Sequence, residues 1–262
     1  MGLFDLPAPI FGAIDGMLAM ALPPLLRLVI WGIFAGWLTM VVYRHFSDQE
    51  KIGELKARQK SQQKGIAEFD GEFAELMPLI RHTLTLGFRQ LGLALGPALL
   101  ATVPVLFIVI WVAGEFGYET PAAGSEVFLT VEPASNNIHW SSTTEVRISV
   151  ITIKEGGWVI NWPSQGQSLT MREGQQPLLV LPLEQNIPII HKKRWWNLLM
   201  ANPIGYLPED GQTDVIHINL PEAVIIGSGS SWVRDWMRGW MFSFFLTFLL
   251  SSIGFKLLLR ID

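Results

Sequence analysis

Three apolar runs, residues 25–43, 95–113 and 237–259, constrain this chain more than any other feature. Each approaches the length of about 20 residues that an α-helix needs to cross the hydrocarbon of a bilayer. The first two are at the short end, which suits a locally thinned membrane. Composition agrees. Half of the residues are hydrophobic and only 16% are charged, against about 25% in an ordinary soluble domain. Six tryptophans, Trp31, Trp37, Trp111, Trp232, Trp236 and Trp240, lie in or beside the runs. Amphipathic rings concentrate at headgroup depth; core packing is the plainer alternative.

Charge orients the spans. The first 26 residues carry no Lys or Arg, whereas residues 44–90 carry eight. Positively charged loops stay in the cytoplasm. Three crossings then place the N-terminus outside, residues 44–90 inside, residues 114–236 outside and the C-terminus inside, with Lys256 and Arg260 in agreement. A secretory signal opens on basic residues, so the start is expected to be retained. Residues 9–22 carry Phe11, Ile14, Leu18 and Leu22 at helical spacing, with Asp15 at the edge of that face. This suits a short helix lying on the membrane surface. The expected organisation is therefore an interfacial helix (1–23), a first span (24–43), a cytoplasmic helical hairpin and interfacial helix (44–93), a second span (94–114), an extracytoplasmic β-rich domain (115–235), a third span (236–259) and a short cytoplasmic tail (260–262). The absence of cysteine and of any N-x-S/T acceptor outside fits a bacterial inner membrane.

Between the first two spans, Ser47-Asp48 followed by Glu50 reads as a helix start. Ile52, Leu55, Gln59, Gln62, Ile66, Phe69, Phe73, Leu76 and Ile80 follow in steps of three and four, a heptad seam with a polar middle. The seam predicts a coiled-coil-like hairpin turning near Lys64-Gly65. Pro78 should end or kink the second arm, leaving residues 79–93 to run along the interface. A solvated charged helix that self-associates along the seam is the competing reading.

From Glu119 onward, Pro, Gly, Ser and Asn punctuate short β-branched runs. Strands are predicted at 127–131, 146–153, 158–161, 178–181, 215–219 and 223–226, a spacing that favours a small β-sandwich or barrel. His191-Lys192-Lys193-Arg194-Trp195-Trp196 is a basic patch suited to anionic headgroups, or else a charged turn before a packed helix. Net charge is −4, so no nucleic-acid partner is expected. No HExxH, Cys/His cluster, GxSxG, P-loop or Rossmann fingerprint occurs. The reading is of a chain with no catalytic residues, no metal site and no cofactor.

Ionisable residues at membrane depth are functional suspects. Arg27 lies inside the first apolar stretch, and Arg234 and Arg238 at the start of the third; snorkelling to the headgroups is the plainer account. Gly239, Ser243, Thr247 and Ser251 form one face of the third span, and Gly32-xxx-Gly36 and Gly92-xxx-Gly96 mark the others. Small residues let helices pack closely. The alternative is a weakly polar groove that Thr39 and Thr102 would join, with Pro97 and Pro104 freeing carbonyls in the second span.

The order of parts resembles the YidC-like membrane insertase superfamily, most of all its minimal three-span branch, found in archaea and in the insertase subunit of the ER membrane complex. The segment Gly227-Ser-Gly-Ser-Ser-Trp232, then Trp236, Trp240 and the run to Lys256-Leu-Leu-Leu-Arg260, looks like that branch's last helix. The β-domain inserted between the second and third spans departs from it. The resemblance implies a non-catalytic insertase or assembly factor. Its cytoplasmic hairpin receives hydrophobic clients and passes them along a polar intramembrane groove, here Arg27, Thr39, Thr102, Arg238, Ser243, Thr247 and Ser251. An accessory subunit of a larger membrane complex, with the β-domain as its docking module, is the second expectation. An enzyme or transporter with its site in the β-domain is a third, which no motif supports.

Overall fold

The computed structural model describes residues 2–69, 71, 73–135, 137–142, 150–154, 157–198, 202–227 and 235–261. Three helices are long and apolar enough to cross a membrane: α2 (Pro24–Phe46), the apolar part of α4 (Phe73–Phe116), and α6 (Trp240–Leu258). They mark the chain as an integral membrane protein. A short 3-10 turn (Leu3–Asp5), a short helix α1 (Ala8–Ala19), a helix α3 (Gln49–Ala67) and a single turn α5 (Asp235–Arg238) complete the helical set among the described residues. Two compact units result. One comprises Met1–Leu28 with Val109–Ser243, the other Val29–Ile108 with Phe244–Asp262.

In the second unit, α3 and the first half of α4 form the expected helical hairpin. Asp48 caps α3 by accepting from the Lys51 backbone N–H at 3.1 Å. Ile52 and Leu55 are buried. The polar middle of the seam also faces inward. Thr83 Oγ1 donates to Gln62 Oε1 at 3.4 Å, and Gln59 lies against Gly87. One expectation fails here, and a second is narrowed. The turn does not fall at Lys64-Gly65, because α3 continues to Ala67; one exposed glycine costs a helix only about 1 kcal/mol. Of the two outcomes expected at Pro78, an end or a kink, the end does not occur. The proline lies a few residues into α4, exposed to water, and one helix runs through it into the span. Residues 79–93 are therefore not a separate interfacial helix.

The α2–α6 contact is set by glycine. A Cβ at Gly32 would come within 2.9 Å of Thr247 Cβ and 3.0 Å of the Phe244 carbonyl. At Gly36 it would meet the Ser252 backbone N at 2.9 Å and the Phe248 carbonyl at 3.1 Å. Backbones approach this closely only where side chains are absent. Gly92 and Gly96 have open space instead.

In the first unit, two antiparallel sheets share one core. The five-stranded sheet runs β3 (Val150–Lys154), β4 (Gly157–Asn161), β1 (Glu126–Glu132), β8 (Val215–Ile218), β7 (Ile189–His191). The three-stranded sheet runs β2 (Ile138–Ser142), β5 (Leu169–Glu173), β6 (Gln176–Leu181). Alternation points Val127, Leu129, Val131, Trp158 and Ile160 of the larger sheet, and Leu169, Met171, Leu179 and Leu181 of the smaller, into a common apolar cluster. This is the expected sandwich-like β-domain. Glu173 ties the β5–β6 hairpin to the loop before β8, accepting from the Gln212 N–H at 2.8 Å and the Thr213 hydroxyl at 3.1 Å.

Four strands fall where the sequence places them, at β1, β4, β6 and β8. Residues 223–226 form no strand, and only Glu222 bridges to Tyr118. For the expected strand 146–153, β3 begins at Val150 and residues 146–149 lie outside the described residues. β2, β5 and β7 were not expected. Gly227 opens the expected Gly/Ser/Trp segment; the rest of it, with Trp232 and Arg234, lies outside the described residues. The expected third span divides at Gly239. Met237 and Arg238 belong to α5, not to the spanning helix.

Gly36→Ala is expected to destabilise the chain in detergent micelles by about 1–3 kcal/mol through overpacking. Gly92→Ala, with room around it, should be neutral or gain up to about 1 kcal/mol of helix propensity. Thermal or SDS unfolding of the two variants beside the parent measures the difference.

Candidate functional site

The residues expected to line a groove separate into two groups, one in each unit. In the span unit, Thr247 and Ser251 border a shallow apolar groove of about 420 Å³ along α6, with Ile33, Leu246, Leu250 and Phe255. Ser251 Oγ hydrogen-bonds the Gly32 carbonyl across the helix pair at 3.2 Å and the Phe248 carbonyl at 3.0 Å. Ser243 is buried. Thr39 donates to the Ala35 carbonyl at 2.8 Å, and exposed Thr102 to the Ala98 carbonyl at 2.9 Å. Both threonine hydroxyls thus satisfy themselves on their own helix, one turn back, and add little polarity to their surroundings. The structure brings Thr247 and Ser251 together with α2's glycine face. Thr102 stays exposed on α4.

The hairpin adds two surfaces that the sequence did not single out. Arg58, Gln62, His82 and Arg89 surround a polar cleft of about 490 Å³. Elsewhere on α4, Leu84, Phe88 and Leu91 follow at steps of four and three and are exposed, Phe88 to 72%. Heptad reasoning followed the buried seam and so passed over these three.

Arg27 belongs to the other unit, where its charge is already matched. Its Nε donates to Asp15 Oδ1 at 3.1 Å and its Nη2 to Asp15 Oδ2. Glu115 lies 3.6 Å from the same Nη2, and the guanidinium sits 4.8 Å from the Phe116 ring centroid. Asp15 is only 1% exposed, because the Arg27 guanidinium covers it. The two-pronged geometry suits a planar guanidinium. One cation between two carboxylates leaves no surplus positive charge for a client. The sequence signal was present: Arg27 is the sole Lys or Arg among the first 43 residues, and Asp15 is the nearest acid on an otherwise apolar helix. Arg238 pairs with Asp235 at 3.3 Å, and its carbonyl accepts from the N–H groups of Ile225 and Ile226. It acts as a turn closing the β-domain's exit.

The same unit contains an apolar cleft of about 380 Å³ bounded by Phe4, Ala8, Ile110, Trp111, Ile187 and Pro188, with Asn186 and Glu115 among its polar lining. On the β-domain's edge, His191 of β7 is held below its ordinary value of 6.5, first by burial and then by the neighbouring charge of His217 on β8.

These parts define an integral membrane protein with a helical hairpin and a β-sandwich-like domain. No protein-family profile, curated protein or solved structure matches this chain.

Arg27→Leu should cost roughly 3–5 kcal/mol, because it strands a buried carboxylate. Arg27→Leu/Asp15→Leu should recover most of that loss, as read by detergent unfolding. Acid should also weaken the β-domain. The folded state resists protonating His191 while the unfolded chain protonates near 6.5; stability is therefore full above that pH and declines as pH falls through it. His191→Gln should flatten this decline in unfolding titrations run from about pH 7.5 to about pH 5, across the imidazole range.

Proposed function

We propose that the chain is a membrane-protein insertase or assembly factor of the YidC-like kind. It lies in a bacterial inner membrane with its N-terminus and β-domain outside and its hairpin and C-terminus in the cytoplasm. One observation carries this reading. α4 has 44 residues and so a length of about 66 Å, whereas the hydrocarbon core is about 30 Å thick. Its first half lies beyond the span, paired with α3, yet still presents Leu84, Phe88 and Leu91 to its surroundings. Exposed apolar surface in water is costly and marks a binding face. A hydrophobic client segment arriving from the cytoplasm would cover it. The α6 groove, apolar with two hydroxyls, offers the client's flank a weakly polar path into lipid. The partners are then hydrophobic client proteins and the bilayer itself.

The alternative, an accessory subunit of a larger membrane complex, draws support from a different observation. The α6 small-residue face is packed on α2's glycines, and Arg27 is neutralised by carboxylates. That is how an anchor would be built.

Depletion should reduce insertion of single-span clients with short translocated tails, and Phe88→Glu/Leu91→Glu should fail to restore it. Gln63→Glu, on the exposed side of α3, should restore it fully. A photo-crosslinker at Phe88 should capture clients transiently. Unchanged insertion on depletion, with a fixed set of co-purifying subunits, would replace the insertase reading with the accessory one.

A further inference from the structure

The N-terminus and the turn after β7 form one surface. The Leu3 N–H donates to the Leu198 carbonyl at 2.7 Å. Asp5, buried, accepts from the Gly2 N–H at 2.7 Å and from the Asn202 N–H at 2.7 Å. The segment carrying Trp195, Trp196 and Leu198 is thus fastened to the chain's first residues at two points. All three of these side chains are exposed, Trp195 to 85%. Leu3, Leu6, Ile10, Ile14 and Met17 are exposed on the adjoining N-terminal segment and α1. So many large apolar groups in the open indicate a covered face rather than scattered surface residues.

Connectivity says what covers it. Residues 20–23 alone separate α1 from α2. The other side of α1 is clasped to span ends: Phe11 packs edge-on against Trp111 near the end of α4, at 5.7 Å between centroids, and Asp15 grips Arg27 near the start of α2. The ends of membrane-crossing helices lie at headgroup depth, where tryptophan is favoured. The adjacent cations are already engaged. Arg194 pairs with Asp214 at 3.0 Å, and Lys193 with Glu209 at 3.9 Å. Lys192 donates to the Gly211 carbonyl at 2.6 Å and lies 3.9 Å from Asp214. The basic run expected to seek anionic lipid is largely balanced by the acids of the loop before β8.

We propose that α1 and the Trp195-Trp196-Leu198 turn together form a foot that seats the β-domain in the headgroup–acyl boundary of its own membrane. The contact is apolar and does not depend on anionic lipid. The foot requires only that α2 and α4 cross the bilayer, so it stands apart from the insertase reading.

The chain has no native cysteine, so Trp195→Cys in the full chain gives a single labelling site for an environment-sensitive fluorophore. In nanodiscs, a lipid carrying a nitroxide high on its acyl chain should quench this probe more than one carrying it deep. Aqueous iodide should quench it severalfold less than the same probe at Ser164, an exposed turn position. Both results should hold in purely zwitterionic lipid and in high salt. Leu6→Cys reports on the same surface from the N-terminal side if the tryptophan variant folds poorly. Free access of iodide to the probe would overturn the proposal. So would quenching that needs anionic lipid and vanishes in salt. A probe shielded from iodide but untouched by lipid nitroxides would also overturn it, because a protein would then be the cover.

Discussion

Hydrocarbon offers no hydrogen-bond partner to a peptide group, so every segment that enters it must satisfy its own backbone. That constraint turns the three apolar runs into helices and leaves the remaining irregular structure to watery regions. It also explains how the exceptions are handled. Pro97 and Pro104 interrupt α4's ladder within the span, where neighbouring helices and local adjustment can accommodate the freed groups. The backbone hydrogen bonds of the β-domain are made between strands, and its interior is as apolar as that of a soluble sandwich.

A second constraint is charge. A carboxylate or guanidinium removed from water needs a partner, and the chain supplies one from its own termini of structure. Asp15 and Glu115 meet Arg27 where α1, α2 and α4 begin or end. Asp5 is met by backbone N–H groups instead. Each acid of the N-terminal segment thereby becomes a fastening point.

How much of this was legible follows from the kind of signal. Apolar runs of span length and the Ser47-Asp48 helix start are local patterns, and they gave the helices closely. The hairpin was legible from its heptad steps, but its turn was misplaced. Gly65 is only a mild local penalty, and α3 runs through it to Ala67; Pro78 removes a backbone donor without ending α4. In the β-domain, Val127–Val131 and Val215–Ile218 announce themselves through β-branched residues. β2, with His139, Ser141 and Ser142, and β5, with Thr170 and Arg172, are half polar because one face of the smaller sheet is open to water. Their buried alternation is visible only once β6 is known to lie alongside. The roles of Arg27 and Asp15 were obscured for a related reason: partnership between helices is a tertiary fact. Of the small-residue faces, those of Gly32-Gly36 and of Thr247-Ser251 meet each other, while Gly92, Gly96 and Gly239 have open space around them, a difference that only the backbone geometry shows.

The clamp between Asp5 and Asn202 joins residues 197 apart in the chain. Synthesis proceeds from the N-terminus, so the first residues wait through most of translation before their final partners exist. During that interval α1 has its contacts with Arg27 and Trp111 to hold it. Closure of so long a loop comes after local structure has formed. Locking of the amino terminus is therefore a late event in maturation, one that records whether the β-domain has folded.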